Sequence, residues 1–161
     1  MTRSRVVGAA LALAAAVAVL VLWPRNKPTP EEQIRQMVIQ MTAAAEEKDL
    51  GFIMEQISER FRGTSPALSK QELRQILAAQ ILRGQWVRVF VRDIDVELRS
   101  PSEAWFRGKF IFGRSEADTL ERLSAESRIQ AYEVEGTLEQ EDGEWRFVSG
   151  GYRVIPAGQL F

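Results

Sequence analysis

The 161-residue sequence contains no cysteine and no histidine. Without cysteine there is no disulfide framework, thiolate zinc site, thiol nucleophile or iron–sulfur cluster. Without histidine there is no Ser–His triad, no imidazole metal ligand and no imidazole acid–base chemistry near neutral pH. Tyrosine is scarce, with Tyr132 and Tyr152 the only two. A run of basic residues is also missing. From residue 28 onward 17 basic residues face 22 acidic ones, a net of −5. That balance argues against nucleic-acid binding, because grip on a phosphate backbone depends on concentrated positive charge. What remains, at 45% hydrophobic and 27% charged, is an ordinary globular composition for one domain.

Val6 to Trp23 is 18 residues without a charge. As a helix it spans about 27 Å, close to the hydrocarbon thickness of a bilayer. Its drive to insert comes from four Leu and five Val, because seven of the remaining positions are Ala. A cleaved signal peptide is the competing reading, but Pro24-Arg25-Asn26-Lys27-Pro28 offers no small-x-small site. The expected division is a cytoplasmic tail at 1–5, a transmembrane anchor at 6–23, a linker at 24–29 and a folded domain at 30–161. Arg3 and Arg5 with the amino terminus slightly outweigh Arg25 and Lys27. The positive-inside rule therefore expects a single-pass protein of the cytoplasmic membrane, its C-terminal domain facing the periplasm or exterior.

Thr29, Pro30 and Glu32 form a capping box around a proline at the first helical position. Ile34, Met37, Val38, Met41 and Ala45 follow at helical spacing. Asp49 is placed to cap a second helix whose buried side is Leu50, Ile53, Ile57 and Phe61, with a break at Gly63-Thr64-Ser65-Pro66. Ser69 and Glu72 open a third helix, burying Leu73, Ile76, Leu77 and Ile81 and closing at Gly84.

From Gln85 the period becomes two. Val87, Val89 and Val91 are in one phase, while Ile94, Val96 and Leu98 are in the other, which requires a bulge at Arg92-Asp93. Ser100-Pro101 turns the chain. Ala104, Phe106, Phe110 and Phe112 then alternate with Trp105, Arg107, Lys109 and Ile111. Residues 113–127 are polar, with a helical turn expected near Leu120 and Leu123. Tyr132, Val134 and Leu138 face away from Glu133, Glu135 and Glu139, Asp142-Gly143 is a hairpin turn, and Gly150-Gly151 suggests a second bulge. Helices first and strands afterwards predict an α+β domain. Its three N-terminal helices would pack on one face of an antiparallel sheet.

Three stretches carry a resemblance: Ala44-Ala45-Glu46-Glu47-Lys48-Asp49 between the first two helices, Ile57-Ser58-Glu59-Arg60-Phe61, and the terminal hairpin Leu138 to Gln140, Asp142-Gly143 and Trp145-Arg146-Phe147. In order and spacing, residues 30–155 resemble the nuclear transport factor 2-like superfamily. The resemblance implies a cone in which the three helices lie in the concave face of a curved antiparallel sheet. That superfamily hosts isomerases, dehydratases, hydrolases, ligand binders and assembly modules, so fold does not choose among them. Its dehydratases lean on histidine, which this chain lacks.

Two sets of residues are candidates for function. Met37, Met41, Phe61, Phe106, Phe110, Tyr132 and Trp145 line either an apolar cavity for a hydrophobic ligand or a filled core. Arg88, Phe90, Arg92, Trp105, Arg107, Lys109 and Ile111 share the outer sheet face, and aromatics with arginine are the composition of interfaces. The resemblance implies that this face is a frequent dimerisation surface; the competing reading is scattered exposed apolar residues, which are normal on any protein surface. Asp93 and Asp95 are expected to point outward, and the carboxylates of Glu133, Glu135 and Glu139 to serve solubility rather than a metal. No cofactor and no metal are expected. The leading expectation is a non-catalytic, membrane-anchored interaction or assembly module, with a carrier of a small hydrophobic ligand next and an isomerase- or dehydratase-like enzyme last.

Overall fold

The fold is seen in a computed structural model, which describes residues 27–65, 67–82, 88–113 and 129–156. Thr29 opens helix α1 (Pro30–Glu46), accepting from the Glu32 amide while the Glu32 carboxylate accepts the Thr29 N–H. Asp49 caps the short helix α2 (Leu50–Glu55) through the Phe52 amide. Strand β1 (Ile57–Ser65) comes next, and Ser69 with Glu72 then starts helix α3 (Lys70–Ile81) through a second capping box. Each cap satisfies amides that a helix start otherwise leaves unpaired.

Four further strands follow: β2 (Arg88–Ser100), β3 (Glu103–Gly113), β4 (Gln130–Glu141) and β5 (Glu144–Ile155). They form one five-stranded sheet in the order β1-β5-β4-β3-β2. The β4–β5 turn has both Asp142 and Gly143 at positive φ, 53° and 85°, as a two-residue type I′ hairpin turn requires.

Five features differ from the sequence expectation, the smallest being Ile76 of α3, expected inward but exposed. A strand separates the second and third helices, so the three helices do not precede the sheet. Ile57 and Phe61 are buried as expected, but on β1 rather than on a helix. Because β1 runs parallel to β5, the sheet is mixed rather than purely antiparallel. The second bulge lies at Val148, since Thr137 pairs with Ser149 while Leu138 pairs with Phe147. The first bulge is where the phase shift placed it: register slips between Arg92 and Asp95, and Asp93 has φ 52°.

Arg35 of α1 donates to the Ile94 carbonyl beside that bulge, supplying a partner to a backbone group at the irregular step. At the other end of α1, Glu46 accepts from the Val89 amide and meets the Arg88 guanidinium. The helix is thus pinned to edge strand β2 at both ends.

The core fills the concave side where the hairpin turns lie. Ile34, Val38, Phe106 and Leu138 are almost wholly excluded from solvent, with Met37, Ile57, Phe61, Trp145 and Phe147 around them. The Phe106 ring meets Phe147 edge-on at 5.5 Å. Gly136 lies against β5 so closely that a Cβ would stand 2.5 Å from the Ser149 carbonyl oxygen. A second layer under the end of α1 gathers Ala44, Ala45, Ile53, Ile81 and Val89. No helix among the described residues is long and apolar enough to cross a membrane. The expected anchor at 6–23, the helix end at Gly84 and the polar stretch at 114–127 lie outside the described residues.

Candidate functional site

Residues directly opposite in an antiparallel pair share a face. Phe110 lies opposite Tyr132, which lies opposite Val154; Val134 lies opposite Tyr152. Phe110 and Val134 pack on the concave core, so Tyr132, Tyr152 and Val154 are on the concave side as well. They stand at the end of the sheet away from the hairpin turns. Here the core gives way to a chain of rings. Phe112 and Tyr132 meet at 5.8 Å and 76°, and Tyr132 and Tyr152 at 5.8 Å and 79°, the edge-to-face geometry that aromatic quadrupoles favour.

Tyr152 remains 36% exposed and Val154 67% exposed. The Tyr132 hydroxyl is satisfied by the Gln130 carboxamide oxygen at 3.2 Å, which leaves the ring faces as the open part of the site. Flanking them are Met41, Phe110 and Phe112, each half-buried against the second layer. The mouth of the cone is therefore an apolar, aromatic surface continuous with the core.

Of the seven cavity candidates, the structure brings Met37, Phe61, Phe106 and Trp145 together in the closed end of the cone, all buried. Met41 and Phe110 stand between that core and the mouth, and Tyr132 belongs to the mouth itself. Phe112, Tyr152 and Val154 complete the mouth, and sequence reasoning had not put them in the site. Phe112 sat in the right strand phase. Tyr152 and Val154 were placed only by knowing which strand lies beside β4.

The interface candidates lie on the convex face, where most are already engaged. Arg107 stacks over Trp105 at 5.3 Å and reaches Asp95 at 3.4 Å. Lys109 contacts Asp93 at 2.7 Å, and Arg88 contacts Glu46 at 3.2 Å. Arg92 is exposed. Ile111 has no exposed surface: with Ala131 and Ile155 it forms a small apolar cluster, against which Phe90 and Ile129 pack.

The convex groove beside the bulge is lined by Asp93, Ile94, Asp95, Arg107, Lys109 and Glu133. The bulge does bring Asp93 and Asp95 to one side, but outside the cone and each beside a cation. The Lys109 ammonium, by hydrogen bond and charge, holds the Asp93 carboxyl below its usual range. Glu141 is likewise held low, first by the Ser58 hydroxyl and then by Arg60, whose own pKa is raised by Glu141 and Glu139. Glu72 is held low by the Ser69 amide and hydroxyl of its capping box. These three carboxyls are thus all held low. A carboxylate working as a general base in an apolar cavity needs the opposite shift. No cluster of metal-ligating side chains occurs among the described residues.

No protein-family model matches the chain, and no curated protein matches it in sequence. Solved structures do match. A putative scytalone dehydratase from Novosphingobium aromaticivorans superposes with a TM-score of 0.63 at 15% identity, over 77% of this chain and 83% of that one. A putative dehydratase of the nuclear transport factor 2-like family from Streptomyces avermitilis gives 0.62 at 14% identity, over 81% and 100%. A protein of unknown function with a cystatin-like fold from Nostoc punctiforme gives 0.61 at 13%, over 81% and 96%. At these identities the likeness speaks for architecture and not for activity. The chain has the nuclear transport factor 2-like, cystatin-like fold: an α+β cone built on a curved five-stranded sheet.

Proposed function

We propose that this domain is a non-catalytic binder of a small hydrophobic, preferably aromatic, molecule at the mouth of the cone. One observation carries it: the chain of rings Phe112–Tyr132–Tyr152, with Val154 beside it, continues the core outward and stays partly open to solvent. Flat apolar ligands gain both buried area and edge-to-face contact on such a surface. Fold neighbours named as dehydratases make a small-molecule site in the cone a natural use of the architecture. Against turnover stand the lack of histidine in the sequence and the depressed carboxyls outside the cone. In this reading the 6–23 segment tethers the binder to the cytoplasmic membrane, with the domain on the outer side.

The neutral fluorophore N-phenyl-1-naphthylamine tests the site. Its emission should rise on saturable binding to the full chain and fall back when Tyr152→Ser and Val154→Ser are combined. Equal enhancement by both proteins would sink the proposal.

A second reading, association through the convex face, is favoured by the half-buried Trp105 under the Arg107 guanidinium. Tryptophan and arginine anchor interfaces more than other residues do. Sedimentation of Trp105→Glu against the unaltered chain decides it: a dimer reduced to monomer supports the surface, and identical sedimentation removes it.

A further inference from the structure

A separate cleft of about 420 Å³ lies at the closed end of the cone, where the first turns of α1 meet α2 and the start of β5. Met37, Phe52 and Trp145 give it an apolar lining, Gln33, Glu55 and Gln56 contribute polar groups, and Glu144 and Arg146, paired with each other at 3.1 Å, complete it. The volume falls within the range of small-molecule sites. Trp145 is 4% exposed, and its buried indole Nε1–H has no hydrogen-bond acceptor among the described residues. A buried donor left without a partner is costly, so an unpaired N–H beside a cleft calls for an acceptor from outside.

The polar lining has the opposite need. The Gln33 carboxamide nitrogen donates to the Pro28 carbonyl, and that of Gln56 to the Phe52 carbonyl. With the nitrogens so engaged, the amide oxygens are the groups each side chain can offer as acceptors. Glu55 adds a carboxylate that makes no ion pair among the described residues. The Trp145 N–H among apolar groups, with acceptors around it and the Arg146 guanidinium held by Glu144, is complementary to a group that presents C=O and N–H side by side.

We infer that this cleft binds a small amide-bearing ligand of the acyl-amino-acid amide class. Its carbonyl accepts from Trp145 Nε1–H, its N–H donates to Gln56 or Glu55, and its apolar side chain lies against Met37 and Phe52. The site is independent of the mouth, which lies at the other end of the sheet.

N-acetyl-leucinamide is the probe. Added to the full chain in mild detergent, it should shift the Trp145 indole ¹H–¹⁵N signal saturably and leave the other three indole signals in place. Trp145→Phe keeps a ring in the core but removes the donor, and calorimetry should show binding weakened about tenfold or more, a loss of about 1.4 kcal/mol. Gln56→Leu, which spares the backbone of the α2 cap, should weaken binding severalfold and covers the case that Trp145→Phe does not fold. N-phenyl-1-naphthylamine binding at the mouth should persist in both variants. The inference is overturned if the Trp145 signal stays unmoved to about 50 mM probe. It is overturned equally if both variants bind as the parent does, or if the indole N–H shows only exchange with an ordered water.

Discussion

The two ends of the cone are built from the same strands with the same alternation, yet they have different fates. At the closed end Phe106 and Leu138 have no exposed surface, because α1 covers them. At the mouth Tyr152 and Val154, four and two residues before the last described position, keep much of theirs. Strand chemistry does not distinguish them; coverage by helix does. A strand face that a helix closes becomes core, and the same face a few residues further along becomes a surface able to receive a ligand.

The sharpest way to break this comparison is to truncate one ring at each end. Phe106→Ala should cost about 3–5 kcal/mol in urea unfolding, through lost burial and the cavity left behind. A cost near that of a surface change would mean the closed end is not the packed core described. Thr29→Ala should cost about 1 kcal/mol by the same measurement, because it removes the cap of the helix that closes that end. The ion-pair cluster of Ser58, Arg60, Glu139 and Glu141 sits beside it and adds a pH dependence. Glu141 is depressed in the native state relative to its ordinary value of 4.5. Its contribution is therefore complete above that value and is lost as pH falls through the lower native one. Glu141→Gln should flatten the acid limb of the stability–pH curve, the two proteins converging in acid. An unchanged limb would remove the cluster from the account. The smallest effect belongs to the mouth, where Tyr152→Ser with Val154→Ser should change stability by only about 0.5 kcal/mol each. A larger loss would show those side chains to be core rather than surface.

Much of the closed end was legible from sequence because its signals are local. The Thr29–Glu32 and Ser69–Glu72 boxes, the Asp49 cap and the Asp142-Gly143 turn each need only a few neighbouring residues. The bulge at Asp93 was legible because it shifts the apolar phase of its own strand. β1 was not, because Ile57 and Phe61 are four residues apart and match a helical stripe as well as a buried strand face. Its pairing partner is β5, far along the chain. Val148 was missed for the same reason: a bulge in β5 shows itself only in register with β4, and the adjacent glycines drew attention two residues too far. Ile111 sits in the outward phase, as expected. Its burial depends on Ala131 and Ile155 arriving from two other strands. The candidate site followed this pattern, since Tyr132 was placed by its own strand while Tyr152 and Val154 required knowledge of their neighbours.

The parallel pairing of β1 with β5 carries a consequence for how the protein is made. Ile57 emerges from the ribosome long before Phe147, its partner in the sheet. The hairpin between β2 and β3 can close during synthesis, but β1 must wait at the edge until nearly the whole chain has been delivered. Through that interval Ile57 and Phe61 lack the strand that later stands beside them, which leaves β1 in need of protection until β5 arrives.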